Sequence, residues 1–230
     1  MDSFEKRKSF YSQFLHKDDL YFDIGANLGN RVGPILELGV KVVAVEPQYE
    51  CCEYLEKKFG KDIHIVKKGL SDIVGMKKFY RANFHTISTF SLDWIEAVKK
   101  SGRFCDYKWD VGTMLEVTTL DELIKDFGIP TFIKIDVEGH EVHVLKGLSQ
   151  KIKCISFEYT VPEKTVNAVE CLNRIKTINN HVECNFSIGE SMELASEKWL
   201  SYEEMMFVIN SVAFKKTGFG DIYVRLVIIS

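Results

Sequence analysis

Short apolar runs of strand length alternate with segments of helical spacing from residue 20 onward. Between the first two runs, Val32, Ile35 and Leu36 recur at intervals that place them on one face of a helix, and Pro34 suits its first turn. This alternation is typical of an α/β fold with a mostly parallel sheet and helices on both faces. The strands that it predicts are residues 20–24, 40–45, 63–66, 131–135, 153–158, 181–187 and 222–229.

The segments between these strands predict helices at residues 31–38, 51–59, 119–126, 139–147 and 161–179, with a helical extension within residues 1–18. Thr119 and Glu122 have the spacing of a capping box. Two extra strands, residues 76–80 and 114–118, flank the least regular segment. That segment, residues 84–112, is rich in hydroxyl and aromatic side chains. We expect it to be a variable insertion on the substrate side of one domain that spans the chain.

Composition narrows the class of protein. The 230 residues include 46% apolar residues, 30 basic residues and 33 acidic residues, so no strongly basic domain indicates a nucleic-acid partner. The six cysteines show no C-x-x-C spacing, which favours neither a zinc site nor a disulfide framework and predicts a reducing, cytoplasmic location. No apolar run is long enough for a membrane span. The oligomeric state stays open.

A glycine loop follows the first predicted strand, and it departs from the dinucleotide-binding fingerprint. Gly25 and Gly29 are present, but Asn27 stands where G-x-G-x-x-G has its second glycine. That glycine lets a pyrophosphate approach the backbone closely. The loop therefore argues against a nicotinamide-dependent oxidoreductase, although such enzymes share this fold class.

Four acidic residues stand at or just after the ends of predicted strands: Asp23, Glu46, Asp72 and Asp136. In an open α/β sheet the ligand crevice lies outside the carboxyl ends of the strands, so these side chains are expected to border it. They would repel a pyrophosphate, and no P-loop lysine is present. S-adenosylmethionine suits such a lining, because it carries a sulfonium, an amino group and ribose hydroxyls.

The ordered motifs FDIGANLGN, VVAVEP, GLSD, VTTLDELI and IPTFIKIDVEGHEVHVLKG run from about residue 20 to residue 158. In these motifs the chain resembles the FkbM-type methyltransferases, a branch of the Rossmann-like, class I S-adenosylmethionine-dependent enzymes. The resemblance implies a seven-stranded, mostly parallel sheet whose last strand runs antiparallel. It also implies S-adenosylmethionine as the cofactor.

The same resemblance implies a cofactor-binding role for nine residues. They are Asp23, Gly25, Ala26, Asn27, Gly29, Glu46, Pro47, Ser71 and Asp72. The glycine loop would pass under the methionine part, with Asp23 organising the loop. Glu46 would accept the ribose hydroxyls, and Ser71 with Asp72 would face the adenine. The alternatives are a tight strand-to-helix turn, a solvated loop carboxylate and ordinary turn chemistry, respectively.

Asp136, Glu138 and His140 are the candidate catalytic residues. Methyl transfer to an alcohol requires an in-line geometry and the removal of a proton, and an imidazole is suited to that removal. The alternative is that the two carboxylates cap the following helix and that His140 is a surface residue. Asp136, Glu138 and Glu158 are also hard oxygen ligands that could hold a divalent metal, although no spacing is diagnostic.

Together these features predict an S-adenosylmethionine-dependent O-methyltransferase. The resemblance implies sugars, glycolipids or polyketide hydroxyls as acceptors. The polar and aromatic residues of segment 84–112 favour a sugar hydroxyl of a glycan or glycoconjugate. A polyketide-like small molecule is the alternative acceptor. A module that keeps the fold without catalysing a reaction remains open as well.

Overall fold

The computed structural model describes residues 3–227. This part of the chain contains the strands β1 Leu20–Ile24, β2 Lys41–Val45, β3 Ile63–Val66, β4 Gly69–Leu70, β5 Gly75–Phe79, β6 Thr113–Thr118, β7 Phe132–Ile135, β8 Cys154–Thr160, β9 Val182–Phe186, β10 Leu200–Ser201 and β11 Phe219–Leu226. Its α-helices are α1 Ser3–Tyr11, α2 Val32–Leu36, α3 Tyr49–Phe59, α4 Leu92–Ser101, α5 Leu120–Phe127, α6 Glu141–Lys146, α7 Thr165–Ile178, α8 Tyr202–Asn210 and α9 Val212–Lys215.

The large sheet has the strand order β10-β9-β11-β8-β7-β1-β2-β3. β1 pairs in parallel with β2 on one side and with β7 on the other, so the strand order reverses there. β11 lies antiparallel between β8 and β9, which confirms the prediction for the last strand. It begins at Phe219, earlier than predicted, and residues 228 and 229 of the predicted strand lie outside the described residues. Within residues 3–227 the sheet has eight strands because β10 adds a short edge to the predicted seven.

A second, three-stranded sheet stands apart from the large one, in the order β4-β6-β5. β6 pairs in parallel with β4 and antiparallel with β5. The two extra strands expected around residues 76–80 and 114–118 belong to this small sheet. The chain therefore leaves the large sheet after β3 and returns to it only at β7.

Both faces of the large sheet are covered by apolar residues. Along β1, Phe22 and Ile24 point into one buried cluster, whereas Tyr21 points into another that includes Tyr11 of α1. Because successive side chains of a strand point to opposite faces, a strand buried on both faces is apolar throughout. This burial explains the continuous apolar runs in the sequence.

The expectation of an irregular segment at residues 84–112 was wrong in part, because α4 lies within it. Ser91 begins this helix by accepting a hydrogen bond from the backbone N–H of Trp94 (3.1 Å). Trp94, Ile95 and Val98 of the helix pack with Ile87 in a hydrophobic cluster of their own. Residues 84–112 thus include a small folded unit with its own core.

Three predicted helices are shorter in the structure than in the sequence pattern, and the one expected at residues 31–38 spans only Val32–Leu36. The other two begin later than predicted. The helix expected at residues 139–147 begins at Glu141, because Gly139 has a left-handed backbone (φ +85°). The helix expected at residues 161–179 begins at Thr165, after a turn. In both cases the chain completes a turn beside a strand end before helical geometry starts.

All six cysteines lie within residues 3–227 and are free, and Cys105 alone among them is exposed. Among the helices of residues 3–227, none combines the length and the apolar composition that a bilayer crossing requires.

Candidate functional site

A cavity of about 260 Å³ opens at the carboxyl ends of the parallel strands, at the point where the strand order reverses. Its wall includes the glycine loop after β1, Glu46 after β2, Asp136 and Glu138 after β7, and Glu158 of β8. This edge of an α/β sheet is where ligands bind in such folds. The structure therefore brings together residues from four separate strands.

The glycine loop lies in close contact with the backbone of the β7 end. Gly25 has a left-handed backbone (φ +82°), and a Cβ atom there would lie 1.9 Å from the carbonyl oxygen of Asp136. Asn27 is also left-handed (φ +50°), and its side-chain oxygen accepts a hydrogen bond from the backbone N–H of Leu28 (2.9 Å). Asparagine adopts this conformation more readily than other non-glycine residues, so it can stand in the position of a glycine.

The other predicted residues of this region divide between the cavity and the core. Ala26 and Pro47 line the cavity, whereas Gly29 is not part of its wall. A Cβ atom on Gly29 would lie 2.6 Å from the ring of Phe59 of α3. Gly29 therefore allows the loop to pack closely against α3.

Glu46 is held beneath the loop by backbone donors. Its Oε2 accepts from the N–H of Asn27 (2.9 Å), and its Oε1 accepts from the N–H and the side-chain amide of Gln48 (2.8 and 3.2 Å). Burial raises the pKa of Glu46 to about 7, although these hydrogen bonds favour its charged form. Gln48 also donates to the carbonyl oxygen of His85 (3.0 Å), which ties the insertion to the same wall.

Asp136, Glu138 and Glu158 form a cluster of half-buried carboxyl groups whose oxygen atoms lie within 4.8 Å of one another. Lys134 Nζ and Arg31 Nη2 lie 3.3 and 3.5 Å from Asp136 Oδ2. These cations hold the pKa of Asp136 below its usual value although burial opposes this. Burial and the charge of Asp136 raise the pKa values of Glu138 and Glu158 well above the usual value. The cluster therefore combines one ionised carboxylate with two that hold protons more tightly.

The same three carboxyl groups could contribute oxygen ligands to a divalent cation. Asp136, however, already contacts Lys134 and Arg31 through Oδ2. A divalent ion on that oxygen would have to displace these contacts or bind close to two positive charges. The oxygen ligands suit a divalent cation, but Lys134 and Arg31 already neutralise part of the negative charge of the cluster.

Ser71, Asp72 and His140 do not line the cavity, contrary to expectation. Ser71 is fully buried, and its hydroxyl donates to Asp72 (2.8 Å) and lies 3.1 Å from Nε2 of His140. Asp72 pairs with Lys77 (2.8 Å). Because β4 turns away to pair with β6, Ser71 follows the small sheet, and the cavity wall at this point is formed by residues 68–70.

His140 is buried behind this wall. Burial lowers its pKa to about 3, so the imidazole is neutral at physiological pH. Its absence from the cavity wall and its weak basicity both argue against the predicted role as a general base.

Asp23 is buried and does not line the cavity either. It accepts a hydrogen bond from the hydroxyl of Tyr21 (3.1 Å), on the same face of β1. Burial raises the pKa of Asp23, while Arg31 and Lys134 oppose that shift. Its position is within the sheet below the loop, and the predicted organising role stays a prediction.

Sequence reasoning missed several residues that shape the site. Glu141 is buried, and its Oε1 accepts from the N–H groups of Val137 and Gly139 (3.2 and 3.1 Å), which fixes the loop that carries Glu138. Lys134 is fully buried and pairs with Asp221 (2.5 Å). A lysine inside an apolar strand was the available signal, since a buried charge requires a partner.

Comparison with known proteins matches residues 23–209 to the family model described as the methyltransferase FkbM domain. A curated relative is the hexuronic acid methyltransferase AglP of Haloferax volcanii, 25% identical over 146 residues. The match covers 61% of this chain and 54% of that protein, so the chain spans about half the length of this relative.

Two solved structures are similar over nearly the whole chain. One is a precorrin-6y C5,15-methyltransferase of Geobacter metallireducens (TM-score 0.49, 12% identity, 97% of this chain and 87% of the other). The other is a TehB-like SAM-dependent methyltransferase of Corynebacterium glutamicum (TM-score 0.49, 9% identity, 96% of this chain and 88% of the other). The family match, which spans most of the chain, is the finding that bears on its activity.

Proposed function

Because the chain belongs to the methyltransferase FkbM family, we propose that it transfers a methyl group from S-adenosylmethionine to a hydroxyl of a sugar. The observation that carries this proposal is the ring of carboxyl groups around a cavity at the strand-order reversal. Carboxylates favour a sulfonium, an amino group and hydroxyl donors, which are the groups that the cofactor and a sugar present.

In this proposal Gly25, Ala26 and Asn27 of the glycine loop would hold the cofactor. Glu46 accepts the ribose hydroxyls. Its Oε2 accepts a single hydrogen bond in the described structure, so a lone pair remains for a hydroxyl donor. The adenine then lies beyond Glu46, beside residues 68–70 rather than beside Ser71 and Asp72.

The acceptor hydroxyl must lose a proton as its oxygen forms a bond to the methyl carbon and the carbon–sulfur bond breaks. We assign this proton to the ionised form of Glu138, which becomes a neutral carboxyl group beside Glu158. A carboxylate with a raised pKa is a stronger base than Asp136, whose pKa is lowered by two cations. The sulfonium loses its charge, and S-adenosylhomocysteine leaves.

Two features support a sugar as the acceptor. The acceptor side of the cavity presents Ser88 and Glu190, whose oxygen atoms can hydrogen-bond to a polyol, together with the ring of Phe219. The curated relative is, by its name, a methyltransferase of a hexuronic acid.

The first test is calorimetric titration with S-adenosylmethionine and S-adenosylhomocysteine. We expect Glu46→Ala to weaken binding roughly tenfold to hundredfold, because hydrogen bonds to a charged group are lost. Glu50→Ala removes a nearby carboxylate that pairs with Arg81 outside the cavity, and it should bind normally. Failure of the folded wild type to bind either compound would refute the cofactor assignment.

The second test follows labelled methyl groups from S-adenosylmethionine into neutral oligosaccharides, uronic-acid oligosaccharides and non-sugar alcohols. We expect label in a sugar, and loss of turnover but not of cofactor binding in Glu138→Gln. Label that enters only the non-sugar alcohols would contradict the sugar assignment while leaving the methyltransferase intact.

A further inference from the structure

We propose that Arg31 binds the α-carboxylate of the cofactor's methionine part, and that Glu190 occupies this position in the ligand-free protein. The inference rests on the proposed function, because it concerns the same cavity. It assigns a role to a residue that follows the glycine loop directly and that the sequence motifs leave without one.

The first observation is the charge of the cavity wall. Five carboxyl groups line it: Glu46, Asp136, Glu138, Glu158 and Glu190. These suit the sulfonium, the amino group and the hydroxyls of the cofactor, but they would repel its carboxylate. Among the described residues of the wall, Arg31 and Lys68 alone carry a permanent positive charge. The carboxylate therefore needs one of these two.

The second observation is where the two cations lie along the cavity. Lys68 follows β3, on the far side of Glu46 from the glycine loop, and its half-exposed side chain pairs with Glu116 (3.0 Å). Arg31 lies at the start of α2, 3.5 Å from Asp136. If Glu46 holds the ribose, the adenine extends toward Lys68 and the methionine part extends toward Arg31.

The third observation is the state of the Arg31 guanidinium. Its side chain is 14% exposed, and Nη2 lies 3.0 Å from Oε1 of Glu190. Nε of Arg31 is buried and has no hydrogen-bond partner among the described residues. Nε and Nη2 donate along one edge of the guanidinium, which matches the two oxygens of a carboxylate. One donor of a bidentate site is thus free, and the other holds a glutamate.

Glu190 is suited to leave this position when ligand arrives. Its side chain is 50% exposed, and its other oxygen contacts Arg7 (3.3 Å). A ligand carboxylate can replace Glu190 on Arg31 while Glu190 stays paired with Arg7 or turns to solvent. The exchange leaves the number of charges paired with Arg31 unchanged.

The test compares two ligands that differ in the amino-acid part. S-adenosylhomocysteine carries the carboxylate, whereas 5′-methylthioadenosine keeps the adenosine and thioether but lacks the amino-acid end. We expect Arg31→Gln to weaken binding of S-adenosylhomocysteine roughly tenfold to hundredfold and to change binding of 5′-methylthioadenosine less than about twofold. Lys68→Gln is the matched control and should leave the ratio of the two affinities as in the wild type.

Equal weakening of both ligands in Arg31→Gln, or no weakening of S-adenosylhomocysteine, would overturn the assignment. Glu190→Gln provides a second readout that does not depend on the stability of the Arg31 variant. It should strengthen binding of S-adenosylhomocysteine alone, and weaker binding would contradict the exchange. If the wild type binds neither ligand, the proposed function itself fails, which is a distinct result.

Discussion

Asn27 determines which backbone N–H groups of the glycine loop are already hydrogen-bonded within the protein. Its left-handed backbone (φ +50°) directs the N–H toward Oε2 of Glu46 (2.9 Å), and its own side chain satisfies the N–H of Leu28. A loop that cradles a phosphate leaves such donors free for the anion. Here they are already bound to protein oxygens, so the loop serves to hold a carboxylate in place.

His140 provides a prediction about stability at the scale of one residue. Its pKa is about 3 in the folded protein because it is buried, whereas an unperturbed histidine side chain has a pKa of 6.5. The unfolded chain therefore binds a proton between these pH values that the folded protein excludes. The contribution of His140 to the free energy of unfolding is fully present above about pH 6.5. It declines as the pH falls toward 3.

We expect this single group to cost roughly 2 kcal/mol of unfolding free energy between pH 7 and pH 5. Urea unfolding of the wild type and of His140→Gln at both pH values measures it, because the other buried groups titrate in both proteins. The variant should lose correspondingly less stability on acidification. His16→Gln, at an exposed position, is the control. Identical pH dependence in the wild type and His140→Gln would contradict the prediction.

At the scale of elements, helix α5 shows a capping box that is only half formed. The hydroxyl oxygen of Thr119 accepts from the N–H of Glu122 (3.2 Å), as the sequence predicts, but no return bond from the Glu122 side chain is found among the described residues. A complete box occurs at α8, where Ser201 and Glu204 bond reciprocally. Sequence analysis did not identify that second box.

This difference predicts separate effects for the two partners at α5. We expect Thr119→Ala to lower the free energy of unfolding by about 1 kcal/mol, since an N-cap acceptor is lost. Thr119→Ser keeps the acceptor and should lose less, and Glu122→Ala should change stability by less than about 0.5 kcal/mol. Chemical denaturation measures all three. Equal losses in Thr119→Ala and Thr119→Ser would show that the acceptor oxygen is not the source.

Helix α4 packs against the loop that carries the candidate base. A Cβ atom on Gly139 would lie 2.4 Å from the ring of Trp94, and the backbone there is left-handed. Gly102, at the end of α4, is also left-handed, but no atom of the described residues lies within 4 Å of such a Cβ. Substitutions at the two glycines therefore distinguish the energetic cost of backbone strain from the cost of overpacking.

We expect Gly139→Ala to cost about 2 to 5 kcal/mol of unfolding free energy, from strain and overpacking together. Gly102→Ala should cost about 1 to 2 kcal/mol, from strain alone. Equilibrium unfolding of both variants compares them. A cost at Gly139 no larger than that at Gly102 would mean that α4 and the loop are not packed as described.

At the scale of the whole molecule, the cavity joins parts that are distant along the chain. Its wall includes Ala26 and Arg31, His85 and Phe90, and Glu158. A ligand that contacts all of them binds the folded protein and not the unfolded chain. Ligand binding should therefore stabilise the entire fold.

We expect S-adenosylhomocysteine at about 100 times its dissociation constant to raise the free energy of unfolding by about 2.7 kcal/mol. Denaturation with and without the compound measures this increase. Glu46→Ala at the same concentration should gain much less. An unchanged transition in the wild type would contradict the proposed cofactor.

The sequence by itself predicted the seven long strands of the large sheet, six of the α-helices of the described residues, and the carboxyl ends at which Glu46, Asp136 and Glu138 stand. It did not predict α4, α8 or α9. These features depend on residues that are close together in the chain: apolar periodicity, glycine and proline at turns, and capping side chains. Strands that are buried on both faces must be apolar, so the sequence also predicted where these strands end. The ordered motifs indicated the family for the same reason, since each is a contiguous stretch.

Only the tertiary structure decided which of these side chains face the cavity. Ser71 and Asp72 stand in one family motif, yet the pairing of β4 with β6 turns them away from the cavity. His140 stands in another motif and lies 3.1 Å from the Ser71 hydroxyl, outside the cavity wall. The structure also supplied Asp221 as the partner of Lys134. Such outcomes depend on contacts between residues that are far apart in the chain, and no local pattern records which distant group will satisfy a buried charge.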